Sequence, residues 1–127
     1  MELYIGGYAQ GKLEYVRQVH CREELEVIDG ALCSGLEADT DKRVVFYHFH
    51  AMVKRTAEPE KCREQAELLV KKHPDCIIIS DEVGNGIVPM EQEERAYRER
   101  LGRILIELAA RAERVERVIC GIGQRIK

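Results

Sequence analysis

Short apolar runs alternate with longer amphipathic stretches along this chain. Leu3-Tyr4-Ile5 is a compact apolar run closed by Gly6-Gly7, the pattern of a buried strand entering a turn. From Gly11 to His20, Val16 and Val19 share one side while Glu14, Arg17 and Gln18 surround them, which predicts a helix. Leu25 to Ile28 reads as a weaker strand ended by Asp29-Gly30. Residues 31–42 carry turn chemistry (Ser34-Gly35, Asp39 to Asp41) without periodicity. Arg43-Val44-Val45-Phe46-Tyr47-His48-Phe49-His50 opens apolar and continues in alternation, predicting a strand to His50.

The second half is clearer. A helix is predicted from Glu58-Pro59 to about Lys72, with Pro in its first turn, where a missing N–H costs little, and Cys62, Ala66, Leu69 and Val70 on its inner stripe. Cys76-Ile77-Ile78-Ile79 is β-branched without alternation, as a strand covered on both faces would be. A loop punctuated by Gly and Pro follows over residues 80–89. The longest helix is expected over Glu91 to Ala112, burying Tyr97, Leu101, Ile104, Leu105 and Leu108. Arg117-Val118-Ile119-Cys120 reads as a last strand, with Gly121-Ile122-Gly123 and a short tail behind it. Strands alternating with helices imply a mainly parallel sheet in a layered α/β fold.

Composition narrows the class. With 127 residues, 45% hydrophobic and 34% charged, the chain is the size of one domain, expected to span 1–127. Its 20 basic and 23 acidic residues leave a net charge of −3, which argues against nucleic-acid binding. No run approaches the roughly 18 apolar residues of a membrane span, and no secretory leader pattern follows Met1, so a cytoplasmic location is expected. The five cysteines (21, 33, 62, 76, 120) form no C-x-x-C pair. All are expected to be reduced and none a nucleophile, with Cys76 and Cys120 acting as small hydrophobes at the ends of apolar runs.

One segment carries a chemical signature. Gly6-Gly7-Tyr8-Ala9-Gln10-Gly11-Lys12 fits G-x-x-x-x-G-K between a predicted strand and a predicted helix. Backbone N–H groups of such a loop, with the positive end of the helix, hold phosphate oxygens, and the lysine adds charge at the β and γ phosphates. The next position is Leu13, where a Ser or Thr hydroxyl would bind Mg²⁺. The competing reading is an ordinary strand-to-helix turn whose glycines serve geometry. A strand-terminal acid should complete a metal site, but the strand to His50 ends Tyr47-His48-Phe49-His50, with no carboxylate. Asp29, Asp81 and Glu82 are substitutes by type, although a solvated turn or helix cap is the commoner use of Asp81-Glu82. His48 and His50, two apart on the predicted strand, would share a face, a spacing that suits a metal with His20 as a conceivable third ligand. Imidazoles meeting water or backbone are the favoured alternative, because no Cys or carboxylate accompanies them at ligand spacing. His20 and His73 lie near helix C-termini, where positive charge suits the helix dipole.

Glu82-Val-Gly-Asn-Gly-Ile-Val-Pro89, Arg95-Ala-Tyr-Arg98, Gly102-Arg103 and Gly121-Ile-Gly-Gln-Arg-Ile-Lys127 resemble the bifunctional adenosylcobinamide kinase/adenosylcobinamide-phosphate guanylyltransferase family of cobalamin biosynthesis. The resemblance runs without a gap over about residues 75–127, and Gly6 to Lys12 resembles the family's G-G-x-x-S-G-K-S loop. It implies a RecA-like P-loop fold with a three-layer, mainly parallel sheet. It also implies nucleotide (GTP or ATP) held by Gly6, Gly7, Tyr8, Ala9, Gln10, Gly11, Lys12 and Leu13. Glu82, Arg98 and Arg103 would shape the cleft edge; Lys12, Asp81 and Glu82 are the catalytic candidates. A corrinoid partner and a homo-oligomer are further implications.

The departures matter equally. Family members are longer, and the missing part falls between the second and third strands, where a covalent histidine would accept GMP; residues 30–43 contain no His. Gln10 and Leu13 replace both loop serines, Tyr47 stands for the strand acid, and Leu105 stands for an expected Asn. The chain therefore reads as a shortened, degenerate member. Guanylyl transfer is expected to be lost, Mg²⁺ placement impaired, and kinase activity weak or absent. A non-catalytic interaction or regulatory protein on the same fold is the alternative.

Overall fold

In the computed structural model, which describes residues 1–32, 39–82 and 90–127, six strands form one sheet. They are β1 (Glu2–Gly6), β2 (Leu25–Asp29), β3 (Arg43–Tyr47), β4 (Ile77–Asp81), β5 (Arg114–Ile119) and β6 (Ile122–Arg125), in the order β2-β3-β4-β1-β5-β6. β1 to β5 pair in parallel and β6 returns antiparallel to β5. Helix α1 (Lys12–Val19) follows β1. Helices α2 (Phe49–Arg55) and α3 (Pro59–Lys72) link β3 to β4, and α4 (Gln92–Arg111) precedes β5. The mainly parallel α/β sandwich expected from the alternating pattern is what the chain adopts. The residues expected around Cys33, Ser34-Gly35 and the Val83 to Pro89 loop lie outside the described residues.

The two faces of the sheet are covered unequally. On one, Leu3, Phe46, Ile78 and Val115 pack against Phe49, Met52, Cys62, Leu69, Leu101 and Leu108 of α2, α3 and α4. On the other, Tyr4, Val45, Ile77, Ile79 and Val118 meet Val16 of α1. Alternate residues of one strand thus enter different cores, which is why Ile77-Ile78-Ile79 needs no polar position. Each such side chain, fully removed from water, contributes about 1.5–3 kcal/mol.

Four sequence expectations are corrected. The strand from Arg43 ends at Tyr47, not His50, because His48 turns the backbone into the left-handed region (φ 57°, ψ 45°) and starts α2. Phe49, Met52 and Val53, spaced i, i+3, i+4, bury one stripe of α2 in the larger core, a signal that the apparent alternation masked. The strand predicted over 117–120 is not the last, because residues 122–125, expected as the Gly-Ile-Gly segment and the start of a tail, form β6. Cys120 and Gly121, both at positive φ (51° and 73°), make the two-residue turn that folds β6 onto β5. Cys120 is consequently exposed at that turn instead of acting as a small hydrophobe, and Val19 is 39% exposed instead of sharing the buried stripe with Val16.

Among the described residues the cysteines are free thiols, with Cys21 and Cys120 exposed and Cys62 and Cys76 buried. Burial pushes the Cys76 thiol up to about 11 and raises Cys62 as well. In the native protein at pH 8, Cys21 and Cys120 are expected to react with an aromatic disulfide reagent within minutes. Cys62 and Cys76 should react only on unfolding, because attack requires an accessible thiolate. Mass mapping of the labelled peptides checks this, and early labelling of Cys76 would contradict the packing. No described helix is long and apolar enough to cross a membrane.

Candidate phosphate-loop site

The carboxyl ends of the parallel strands bring the polar residues together. β1 and β4 lie side by side in a register that sets Asp81 opposite Gly6, the first residue of the glycine loop. Glu82 N–H continues the pairing onto Gly6 C=O at 2.8 Å. β1 and β4 send their connections to opposite faces, α1 on one and α4 on the other. Open α/β sheets bind ligands in a crevice of this kind, at the ends of such strands.

Gly11, in the left-handed region (φ 81°), is the N-cap of α1, and no side chain caps the helix, so its first-turn N–H groups are not taken up by a side-chain cap. Lys12 is buried, and its Nζ lies 2.7 Å from Asp81 Oδ1 while donating to Gly7 C=O at 2.6 Å. Gln10 anchors the loop from outside. Its Oε1 accepts the Cys120 N–H at 2.8 Å, and its backbone carbonyl accepts the Gly121 N–H at 2.8 Å. The β5–β6 turn therefore braces the loop, which the sequence reading of 121–127 missed.

A cavity of about 490 Å³ opens beside the loop, lined by Tyr8 through Glu14 and by Tyr47, His48, His50 and Asp81. Its far wall depends on the sharp bend after β3. β2 and β3 pair in parallel with Asp29 opposite Tyr47, and Gly30 N–H donates to Tyr47 C=O at 2.7 Å. A Cβ on Gly30 would stand 2.7 Å from His48 C=O and 2.9 Å from the Phe46 ring, so only glycine fits where β2 leaves the sheet. Across that junction His48 Nδ1 meets Asp29 Oδ1 at 2.8 Å, and Asp29 Oδ1 also accepts the Ala31 N–H at 2.9 Å. Burial pushes the Asp29 carboxyl up, but the Ala31 N–H and His48 outweigh it, and the group sits below the usual carboxylate range.

The histidines do not share a strand face, as their spacing had suggested. His48 stacks on Tyr47 (ring centroids 3.6 Å apart) and meets His50 edge-on at 5.5 Å from the first turn of α2. His50 Nδ1 accepts the Asp81 N–H at 3.0 Å, which fixes its proton on Nε2, 3.5 Å from Asp81 Oδ2. Burial holds its pKa below the ordinary imidazole value, so it is a neutral donor at physiological pH. Burial, then the negative charges of Asp29 and Asp81, raise the Tyr47 phenol. His20 lies elsewhere. It hydrogen-bonds Glu2 and Tyr4 with one ring nitrogen and Glu23 with the other, so it is no third ligand.

The expected site residues divide accordingly. Residues 8–13 and Asp81 line one cavity, with Gly6 and Gly7 at its base holding Lys12 through their carbonyls. Asp81-Glu82 is neither a solvated turn nor a cap. Asp81 pairs with Lys12, and Glu82 pairs with Arg117 at 3.1 Å. Arg103 instead pairs with Glu99 on the wall of a separate groove between α3 and α4, and neither Arg98 nor Arg103 lines the loop cavity. As for Mg²⁺, Leu13 offers no oxygen, Asp29 is engaged by His48, and both Asp81 oxygens face Lys12 or His50. Among the described residues no three His, Cys, Asp or Glu side chains converge as a metal cage. The donor set does not fit a prepared Mg²⁺ site.

Similarity to known proteins agrees with the resemblance read from the motifs. The family model described as cobinamide kinase / cobinamide phosphate guanyltransferase matches residues 39–126. Over 51 residues, 40% of this chain, the chain is 43% identical to the bifunctional adenosylcobalamin biosynthesis proteins of Escherichia coli K12 and Salmonella typhimurium LT2. That stretch spans only 28% of the length of either relative. The family match covers well over half of the chain, and the chain belongs to the cobinamide kinase / cobinamide phosphate guanyltransferase family.

Proposed function

We propose that this chain binds the phosphates of a nucleoside triphosphate, GTP or ATP, at residues 6–13, and that phosphoryl transfer at the site is slow. The observation that carries the reading is the buried Lys12 ammonium, held 2.7 Å from Asp81 at the base of a strand–glycine loop–helix unit. A buried lysine costs several kcal/mol of desolvation unless its charge is used, and phosphate oxygens are the ligand such a loop is built to hold. On binding, the ammonium would exchange Asp81 for phosphate, and the first-turn N–H groups of α1 would complete the cradle.

Slow transfer follows from the same geometry. Leu13 and Tyr47 stand where a hydroxyl and a carboxylate would help hold Mg²⁺. The acceptor most consistent with the family is a cobinamide-type corrinoid, and guanylyl transfer through a covalent histidine is not expected of this chain. Calorimetric titration with GTP and ATP, with and without Mg²⁺, tests the reading. Micromolar binding is expected, and no heat at millimolar nucleotide would refute it. The second reading, a non-catalytic interaction protein, is favoured specifically by the Lys12–Asp81 pair, which closes the site in the absence of ligand. It predicts that same absence of heat.

A further inference from the structure

Asp29, His48 and the bend that joins them are not explained by phosphate binding. His48 occupies the left-handed region, a conformation that costs a non-glycine residue roughly 1–2 kcal/mol and that persists only where the surroundings enforce it. Here three contacts enforce it: the Tyr47 stack, the tight Gly30 junction, and the Asp29 hydrogen bond. A carboxylate kept ionised by the Ala31 N–H can only accept, so the proton of the shared hydrogen bond belongs to His48 Nδ1. The lone pair is then on Nε2, which has no hydrogen-bond partner among the described residues, on a ring that lines the loop cavity. His50, two residues on, has the opposite tautomer and cannot serve as a base.

We propose that Asp29 and His48 form a carboxylate–histidine dyad that acts as general base toward the oxygen attacking a phosphate held by the 6–12 loop. The inference rests on the nucleotide reading above and assigns chemistry to a site where β3 ends in Tyr47 and not in a carboxylate. With water as acceptor, Nε2 takes a proton as the water oxygen bonds to the γ-phosphorus. The bond from that phosphorus to the bridging oxygen breaks, its electron pair leaves with the nucleoside diphosphate, and the proton passes from His48 to solvent. His48 touches the reacting water and is the catalytic residue. Asp29 acts through it, fixing its tautomer and orientation, and is a positioning residue. Among the described residues, the charged and titratable groups around the imidazole are Asp29 from β2, Tyr47 from β3, Tyr8 from the glycine loop, His50 from α2, Asp81 from β4, and Lys12 and Glu14 from α1.

The test measures GTP and ATP hydrolysis from pH 5 to 9 alongside calorimetric binding for the wild-type chain, His48→Asn and Asp29→Asn. Asn is chosen at 48 because it tolerates the left-handed backbone. Expected for His48→Asn is a loss of roughly 10²-fold in turnover and disappearance of the acid limb of the profile, with nucleotide Kd within twofold of wild type. For Asp29→Asn the acid limb should move to lower pH, because removing the negative neighbour makes the imidazole a weaker base. A merely structural Asp29 would change stability or Kd and leave the limb in place. Nucleotide binding with no turnover, an unchanged acid limb in His48→Asn, or covalent labelling of His48 by γ-³²P overturns the dyad while leaving the binding reading intact. Absence of nucleotide binding in the wild-type chain overturns both.

Discussion

Replacing Lys12 by alanine is expected to weaken nucleotide binding by roughly 30- to 150-fold, about 2–3 kcal/mol, the range of a charge-assisted hydrogen bond to phosphate. Micromolar affinity would then fall to near or beyond what calorimetry detects. Because the Lys12 side chain is 5% exposed and Asp81 16%, the substitution also leaves a carboxylate partly buried without its cation. Stability should drop by up to about 3 kcal/mol, toward the low end for broken buried pairs because solvent and His50 still reach Asp81. Asp81→Asn separates the two effects. It keeps the shape and releases Lys12, so binding of nucleotide without Mg²⁺ should tighten severalfold even as the native state loses its ion pair. Unchanged affinity in Lys12→Ala, with the fold intact by circular dichroism, would remove the lysine from the site.

Phe46→Ala is expected to cost about 3–5 kcal/mol, measured as a shift in the urea midpoint at constant slope. Phe46 is completely buried in the middle strand region, packs edge-on against Phe49 (centroids 6.1 Å, 73° between planes) and lies against the backbone of Gly30. Removing the ring opens a cavity beneath the bend that carries His48. That loss is a large part of the roughly 5–15 kcal/mol by which a domain is stable. A loss below about 1 kcal/mol would mean that the larger core closes over the gap. The same variant at low temperature, where it is still folded, should show a looser His48–Asp29 contact as a shifted histidine ring resonance.

How much of this was legible beforehand depends on the range of the interaction involved. α1, α3 and α4 and the strands β1 to β4 follow from periodicity to within one to three residues, because a helix stripe or an apolar run is written locally. β5 starts at Arg114, three residues before the predicted strand, since Val115 enters the core from a charged-looking stretch. α2 was hidden because Tyr47-His48-Phe49-His50 alternates like a strand while a left-handed turn at His48 divides it. Only the packing of Phe49 and Met52 against β3 and α4 makes that turn worth its cost. The glycine loop was legible, with its lysine, its missing serines and its family resemblance.

The amino-acid sequence by itself determined the layered α/β class, the position of the glycine loop between the first strand and the first helix, and the membership of the family, all carried by contiguous residues. The tertiary structure decided which acids matter. Asp81 reaches Lys12 because parallel register sets it opposite Gly6, and Asp29 reaches His48 because β2 ends level with β3. Strand order and register are set by core packing between residues far apart in the chain, so no spacing along the chain encodes them. The same long-range packing brings the Cys120-Gly121 turn to Gln10, and sends Arg103 to a groove away from the loop.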